Sequence, residues 1–350
     1  MLNLEDTKLI CLMPTYNKQE TLTKAIKSVM MQKTDFKYKL LILDDCSSDN
    51  SNDIALEYKK QYPDKIEIIR NEQNLRLLKT ITNAYSLLKG VDYFCVLDAD
   101  DWYTYDEKFH DAVEFLEKNS DYSIYMTNVT LLQNNVEKPL LKTNKNSIDF
   151  DYDDYKNGKG AIVQTSGVIY RNVYFKDGMN NQFLDGSKSP YGEALRADGF
   201  RTIWHLKKGK AHFVNHCESI YNYNNEGIWA GLTAFEQNLL NARLNYAFSI
   251  FFPDEKDSYL RQVKKLYNSA IEGFRISDKK YLEKYYSLIF YIYLNTYLSD
   301  NPIFENKDLD IENNFFEKIF SVKNTPNQMY KILTILGFKF KLKRGGHYKN

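Results

Sequence analysis

Short apolar runs alternate with amphipathic stretches over the first third of the chain. Lys8–Met13 reads as a strand, and Pro14-Thr15-Tyr16-Asn17 breaks it. Leu22, Ile26, Val29 and Met30 then recur at helical spacing. Lys39–Leu43 reads as a second strand. It ends in Asp44-Asp45-Cys46-Ser47-Ser48-Asp49-Asn50-Ser51, a loop rich in residues that cap helices. A helix over Asn52–Gln61, a strand over Ile66–Ile69, a helix over Leu75–Leu88 and a strand over Tyr93–Leu97 follow. Such alternation predicts an α/β fold built from parallel βαβ units. In open sheets of that kind ligands gather at the carboxyl ends of the strands. Asp44–Asp45 and Asp98–Asp101 both sit at such ends.

The run Tyr93–Leu97 stops on Asp98, Asp100 and Asp101. If the extended backbone persists, Asp98 and Asp100 point to one face. Two hard oxygen ligands there suit Mg²⁺ or Mn²⁺, with phosphates completing the shell. An isolated Asp-x-Asp is more often a solvated turn. Here the buried run before it and the second acidic strand end argue for a site.

Beyond a helix over Glu107–Asn119 the pattern changes. Tyr122–Leu132 reads as a long strand, Asn134-Asn135 as a turn, and Glu137–Lys142 as its return. Asn144–Asn157, with Asp149, Asp151, Asp153 and Asp154, has no apolar period and reads as a solvated loop. Gly160–Tyr170 reads as a strand. Asp198 precedes a helical segment, Gly199–Lys208, closed by Gly209, and by itself is a natural N-cap. Strands over Ala211–Val214 and Ser219–Tyr223 come next. From Leu232 the pattern is helical: Phe235–Phe248, Tyr259–Phe274, Tyr281–Leu298, and a short helix over Gln328–Leu336. Asn306–Asn314 reads as a polar linker, and Lys339–Asn350 as a basic tail.

Composition narrows the classes. A chain of 350 residues with 43% hydrophobic and 27% charged residues fits a globular protein. A net charge of +1 argues against a nucleic-acid partner. Cys11, Cys46, Cys95 and Cys217 form no Cys-x-x-Cys pair, which speaks against zinc and for a reducing, cytoplasmic setting. Neither a signal peptide nor an apolar run of about 18 residues is expected to anchor the chain.

Taken in order, the motifs resemble family-2 glycosyltransferases of the GT-A fold. They are Pro14-Thr15-Tyr16-Asn17, Asp44-Asp45-x-Ser-Ser-Asp and Leu97-Asp98-Ala99-Asp100-Asp101, then Asp198 eleven residues before Gly209-Lys210. Tyr221–Trp229 resembles the family's Tyr-Arg-x-His-x-Gly-Gly-Ile-Trp stretch, with Asn222 and Asn224 in place of Arg and His. Glu226 replaces the first Gly of that stretch, and Ala197 replaces the Glu or Gly before the late Asp.

The resemblance implies a Rossmann-like nucleotide-sugar-binding domain with a mainly parallel sheet over residues 1–232. A helical C-terminal region with a basic tail, 233–350, would follow. It implies an inverting hexosyl- or N-acetylhexosaminyl-transferase that uses a UDP-sugar, with a cell-surface glycan or a lipid-linked saccharide as acceptor. Pro14, Tyr16, Asn17 and Asp45 would bind the donor, Asp45 by accepting a hydrogen bond from uracil. Asp98 and Asp100, with Asp101 adjacent, would bind the donor diphosphate through Mn²⁺ or Mg²⁺.

Asp198 would be the general base, with Glu193 its competitor. Gln164, Thr165, Ser166 and Trp229 are candidate walls of the acceptor site. A non-catalytic nucleotide-sugar-binding partner and a nucleotidyltransferase are the alternatives, the latter wanting glycines that Pro14–Gln19 lacks. The tail, where Phe338, Phe340 and Leu342 alternate with Lys339, Lys341 and Lys343, suggests peripheral contact with an anionic membrane leaflet. The bland alternative is a helical cap or a homodimer interface.

Overall fold

The computed structural model describes residues 4, 6–178, 197–223 and 231–272, and strands at 320–324, 330–335 and 338–343. The chain divides into two compact units, Met1–Thr296 and Tyr297–Asn350. The first unit therefore extends past residue 232, the last residue of the motif-bearing stretch.

In the first unit, β1 (Leu9–Thr15), β2 (Tyr38–Asp44), β3 (Ile66–Arg70) and β4 (Tyr93–Val96) form a parallel set in the order β3-β2-β1-β4. Burial on both faces explains why these strands read as continuous apolar runs. Ile10 and Leu12 enter one buried cluster with Leu41, Leu43, Phe94 and Val96. Their neighbours Leu9, Cys11 and Met13 enter another with Leu40, Ile42 and Cys95. Helices α1 (Leu22–Met30), α2 (Ser51–Gln61) and α4 (Lys108–Lys118) cover the second face with Ile26, Val29, Ala55 and Phe109. The first face is covered by α3 (Leu77–Tyr85), and by α6 (Ala197–Leu206), α7 (Ala234–Phe251) and α8 (Lys256–Glu272), through Tyr85, Trp204, Phe248 and Tyr259. Truncating a fully buried ring such as Phe94 would cost about 3–5 kcal/mol.

Past β4 the sheet continues through β9 (Val168–Arg171), β6 (Tyr122–Gln133), β10 (Lys210–Asn222) and β5 (Trp102–Tyr103). Only β9 and β5 run against the others along this path. The expected hairpin is present: β7 (Val136–Pro139) returns on β6, with Asn134 and Asn135 at φ +52° and +61°.

Four sequence expectations need correction. Asn144–Asn157 is not a bare loop. Ser147–Phe150 is β8, paired with β10 and anchored by buried Phe150, and α5 (Tyr152–Lys156) follows. Asp151 caps α5 by accepting from Asp154 N at 2.9 Å.

Gly160–Tyr170 is a strand only from Val168, because Thr165–Gly167 forms a 3₁₀ turn. There a Cβ on Gly167 would lie 2.7 Å from the Thr127 carbonyl. The two strands expected over Ala211–Tyr223 are one, β10, bulged around Cys217. Its polar middle, which looked like a break, is bonded inward: Asn215 Oδ1 accepts from Asn128 Nδ2 at 2.8 Å, and Glu218 pairs with buried Lys108 at 3.2 Å.

The helix expected over Gln328–Leu336 is a strand. β11 (Phe320–Asn324), β12 (Tyr330–Ile335) and β13 (Phe338–Lys343) form an antiparallel sheet in the second unit. β-branched Ile332, Thr334 and Ile335 favour extended backbone, and the alternation in β13 has a strand's period. The helix expected over Tyr281–Leu298 and the linker Asn306–Asn314 lie outside the described residues.

Candidate active site

Register places the loops after β1, β2, β3 and β4 along one edge: Thr15 pairs with Asp44, Asp44 with Arg70, and Leu12 with Val96. The first two loops are knitted together. Asn17, at φ +51°, donates from its backbone N to Ser47 Oγ at 3.0 Å, and its Oδ1 accepts from Ser48 N at 2.8 Å. Lys18 N donates to Ser51 Oγ at 2.8 Å. Pro14 is buried within β1, and Tyr16 is exposed at the rim.

Asp45 is 5% exposed. Its Oδ1 accepts from Asn71 Nδ2 and from Leu75 N, each at 2.8 Å, which locks the carboxylate against the loop after β3. Among the described residues its Oδ2 receives no hydrogen bond. Neighbouring Asp44 is a structural group, buried, accepting from Ser47 N at 3.1 Å and facing Arg70 Nε at 3.4 Å.

The acidic turn differs from the expectation. Extended backbone ends at Val96, and Asp101 N donates to Asp98 O at 2.9 Å, closing a turn. A strand's period therefore does not align Asp98 with Asp100. Charge couples them instead. Burial, followed by the charge of Asp100, pushes the Asp98 carboxyl up to about 6, and Asp198 adds to the shift. Burial together with Asp98 and Asp100 holds the Asp101 carboxyl well above the usual range. Asp101 is 1% exposed; its Oδ1 accepts from Asn222 N at 3.0 Å, and among the described residues its Oδ2 has no hydrogen-bond partner. Asp100 pairs with Lys18 Nζ at 2.5 Å.

Among the described residues no group of three or more His, Cys, Asp or Glu side chains is placed to hold a metal ion by itself. The residues nevertheless fit a divalent cation that takes its remaining ligands from phosphates. An orphaned buried carboxylate oxygen and mutual repulsion among three carboxylates are what such an ion relieves.

Asp198 lies within the first turn of α6 rather than before it, so it is not the N-cap. It is exposed, and its Oδ1 accepts from Gly199 N at 2.7 Å. Its charge reaches Asp98, so the fold brings the late Asp to the acidic turn. Gln164 and Thr165 border the 3₁₀ turn before β9. Because β9 runs against β4, with Ile169 opposite Cys95, that turn lies at the same sheet edge. Ser219 Oγ donates to Ser166 Oγ at 3.1 Å there. Trp229, Asn224, Glu226 and Glu193 lie outside the described residues.

Two cations escaped the sequence reading. Lys18 directly follows the first motif. Arg201 sits three residues after Asp198, on the same helix face. It is 2% exposed, donates from Nη1 to Tyr85 OH at 3.0 Å, and has no partner for Nε among the described residues. Its charge draws Asp98 back toward the ionised form.

Residues 10–179 match the family model described as glycosyl transferase family 2. Those residues belong to glycosyl transferase family 2. The glycosyltransferase domain holds every strand-end loop described above. EpsE of Bacillus subtilis, which bears a glycosyltransferase name, is 32% identical over 120 residues, 34% of this chain and 42% of that protein. The dTDP-rhamnosyl transferase RfbG of Shigella flexneri is 32% identical over 146 residues, 40% of this chain and 48% of RfbG. The chain thus spans about half the length of the relatives it matches. The structure of S. aureus TarS 1-349 in complex with UDP-GlcNAc is similar with a TM-score of 0.47 at 12% identity, covering 97% of this chain and 99% of that one.

Proposed function

We propose that the glycosyltransferase domain transfers a hexosyl or N-acetylhexosaminyl group, with inversion, from a UDP-sugar to a saccharide hydroxyl. The observation that carries this reading is the meeting of Asp98, Asp100, Asp101 and Asp198 at the strand edge of a family-2 domain. Asp45 binds the base: its Oδ2 accepts the N3–H of uracil while Oδ1 stays bound to the loop after β3. Thymine presents the same N–H, in keeping with the dTDP in the name of RfbG. Tyr16 and Asn17 border the nucleotide.

Asp98, Asp100 and Asp101 would hold Mn²⁺ or Mg²⁺, whose chemistry when bound is Lewis-acid stabilisation of the diphosphate. Asp198 accepts the acceptor's hydroxyl proton as that oxygen attacks the anomeric carbon. The carbon–oxygen bond to the diphosphate breaks from the opposite face, and the diphosphate leaves with the electron pair. No second carboxylate is needed to protonate it, unlike in glycoside hydrolysis. An exposed base suits a site that must admit an acceptor.

The acceptor in this proposal is a cell-surface glycan or its lipid-linked precursor. Among the described residues no helix is long and apolar enough to cross a membrane. Peripheral contact would rest on the basic tail, where Lys339, Lys341 and Lys343 alternate with Phe338, Phe340 and Leu342 along the sequence. Each lysine would contribute roughly 1 kcal/mol at an anionic leaflet. A homodimer through the same region is the competing use.

The test is release of UDP from a panel of UDP-sugars, with and without Mn²⁺ and a saccharide acceptor. Acceptor-stimulated, metal-dependent release supports transfer. Donor binding without turnover favours a non-catalytic partner.

A further inference from the structure

Lys108 opens α4 with its side chain fully buried. Both circumstances are unfavourable. A cation in the first turn meets the positive end of the helix dipole, and a buried ammonium loses its hydration. Glu218, also buried, offsets them with Oε2 at 3.2 Å from Lys108 Nζ. The same Nζ donates to Thr127 Oγ1 at 2.7 Å. A buried pair of this kind adds little net stability, because desolvation cancels most of the attraction. What it fixes is geometry. Thr127 is on β6 and Glu218 on β10, so Lys108 joins the two strands across the irregular part of their ladder. Thr127 lies opposite Val214, Asn128 opposite Cys217 and Thr130 opposite Ile220, so β10 advances further than β6 there. Such bulges re-aim the strand beyond them, and a slip of one residue turns each later group to the other side.

The contacts that hold the acidic turn stand at and just beyond this bulge. Glu218 O accepts from Thr104 N at 2.9 Å. Ser219 and Ile220 pair with Tyr103 and Trp102, the strand that follows the turn. Asn222 N then donates to Asp101 Oδ1 at 3.0 Å. We infer that Lys108 and Glu218 are positioning residues for the cation site: by locking the offset of β10 on β6, they set Asn222 against Asp101 and so fix that carboxylate in the turn. Both act through β10. The inference rests on the metal-bound donor reading above.

The test replaces both charges by apolar groups, Lys108→Met together with Glu218→Leu. It measures melting, amide exchange in the metal-free protein, and UDP binding with and without Mn²⁺. Removing a buried pair together spares the fold, so the double variant should melt close to the wild type. The amides of Thr104 and Asn222 should exchange faster than in the wild type. UDP affinity without Mn²⁺ should stay within about twofold, while the tightening by Mn²⁺ should shrink about tenfold, as for loss of a group supporting a metal ligand. Glu218→Gln keeps an acceptor for Lys108 and should fall between the two. A double variant with the full Mn²⁺ gain and protected amides overturns this inference alone. One that does not fold, or that loses UDP affinity equally with and without Mn²⁺, makes the pair a support of the fold at large and also overturns it. A wild type whose UDP affinity ignores Mn²⁺ overturns the metal assignment, and this inference with it.

Discussion

Lys18, on the loop after β1, holds Asp100, on the turn after β4, through an Nζ–Oδ2 contact of 2.5 Å. The pair ties two strand-end loops together across the candidate donor site. It also means that a cation bound by Asp100 competes with Lys18 for the carboxylate. Once a diphosphate is present, the released ammonium has a second anion to face. Lys18→Met should therefore tighten Mn²⁺ binding to the free protein and weaken binding of UDP in saturating Mn²⁺, each by several-fold. Calorimetric titration of Mn²⁺ with and without UDP reads both terms. Changes of the same sign would show that Lys18 does not exchange between the two anions.

Asp45 serves the loop and the proposed base site at once. Asp45→Asn should keep part of the bonding to Leu75 N through its amide oxygen while replacing an acceptor with a donor. We expect UDP binding to weaken about tenfold or more, as for loss of a charge-assisted hydrogen bond, with the preference over other nucleoside diphosphates reduced. Equal discrimination by variant and wild type would remove Asp45 from base reading.

His205 gives a pH signature separate from the acidic turn. It is fully buried, lies against the tilted rings of Tyr170 and Phe94, and donates from Nδ1 to Arg201 O at 2.7 Å. Burial pushes its imidazole down from the ordinary value near 6.5 to about 3. The unfolded chain therefore takes up the proton first. The stability held above pH 6.5 is lost as pH falls toward about 3, with a slope of at most about 1.4 kcal/mol per pH unit. Urea midpoints between pH 7 and 4.5 should fall less steeply for His205→Leu than for wild type. Parallel slopes would place a charged or solvated His205 in the folded state.

The parallel half of the sheet was legible because burial on both faces leaves unbroken apolar runs, as in Leu9–Met13 and Leu40–Leu43. The acidic loops were legible because those runs end on them. What escaped depends on partners distant in sequence. β8 is paired by β10, more than sixty residues away, so Ser147–Phe150 carries little local signal. The middle of β10 looked broken because Asn215 and Glu218 are polar, yet Asn128 and Lys108 satisfy them. Ile332–Ile335 fits a helix or a strand over so few residues, and pairing with β11 and β13 decides it. Arg201 was invisible as a site residue because its neighbours Tyr85 and Asp98 come from other elements.

Asp198→Asn separates binding from chemistry. Its side chain can still accept from Gly199 N, so α6 should start unchanged. Donor affinity should stay within about twofold, and transfer should fall by about 10²-fold or more, the typical worth of a general base. A variant that keeps most of its rate would move the base to Glu193 or elsewhere.

The central claim is that the turn Asp98–Asp101 binds the donor diphosphate through a divalent cation. Its most direct test is UDP affinity with and without Mn²⁺ in wild type, Asp98→Asn and Asp100→Asn. Asp98 is held ionised at neutral pH against burial and the charge of Asp100, so metal-free Asp98→Asn should melt no lower than wild type. Mn²⁺ should tighten UDP binding to the wild type, and both folded variants should lose that gain. Near-normal UDP affinity in Mn²⁺ for both variants would contradict it.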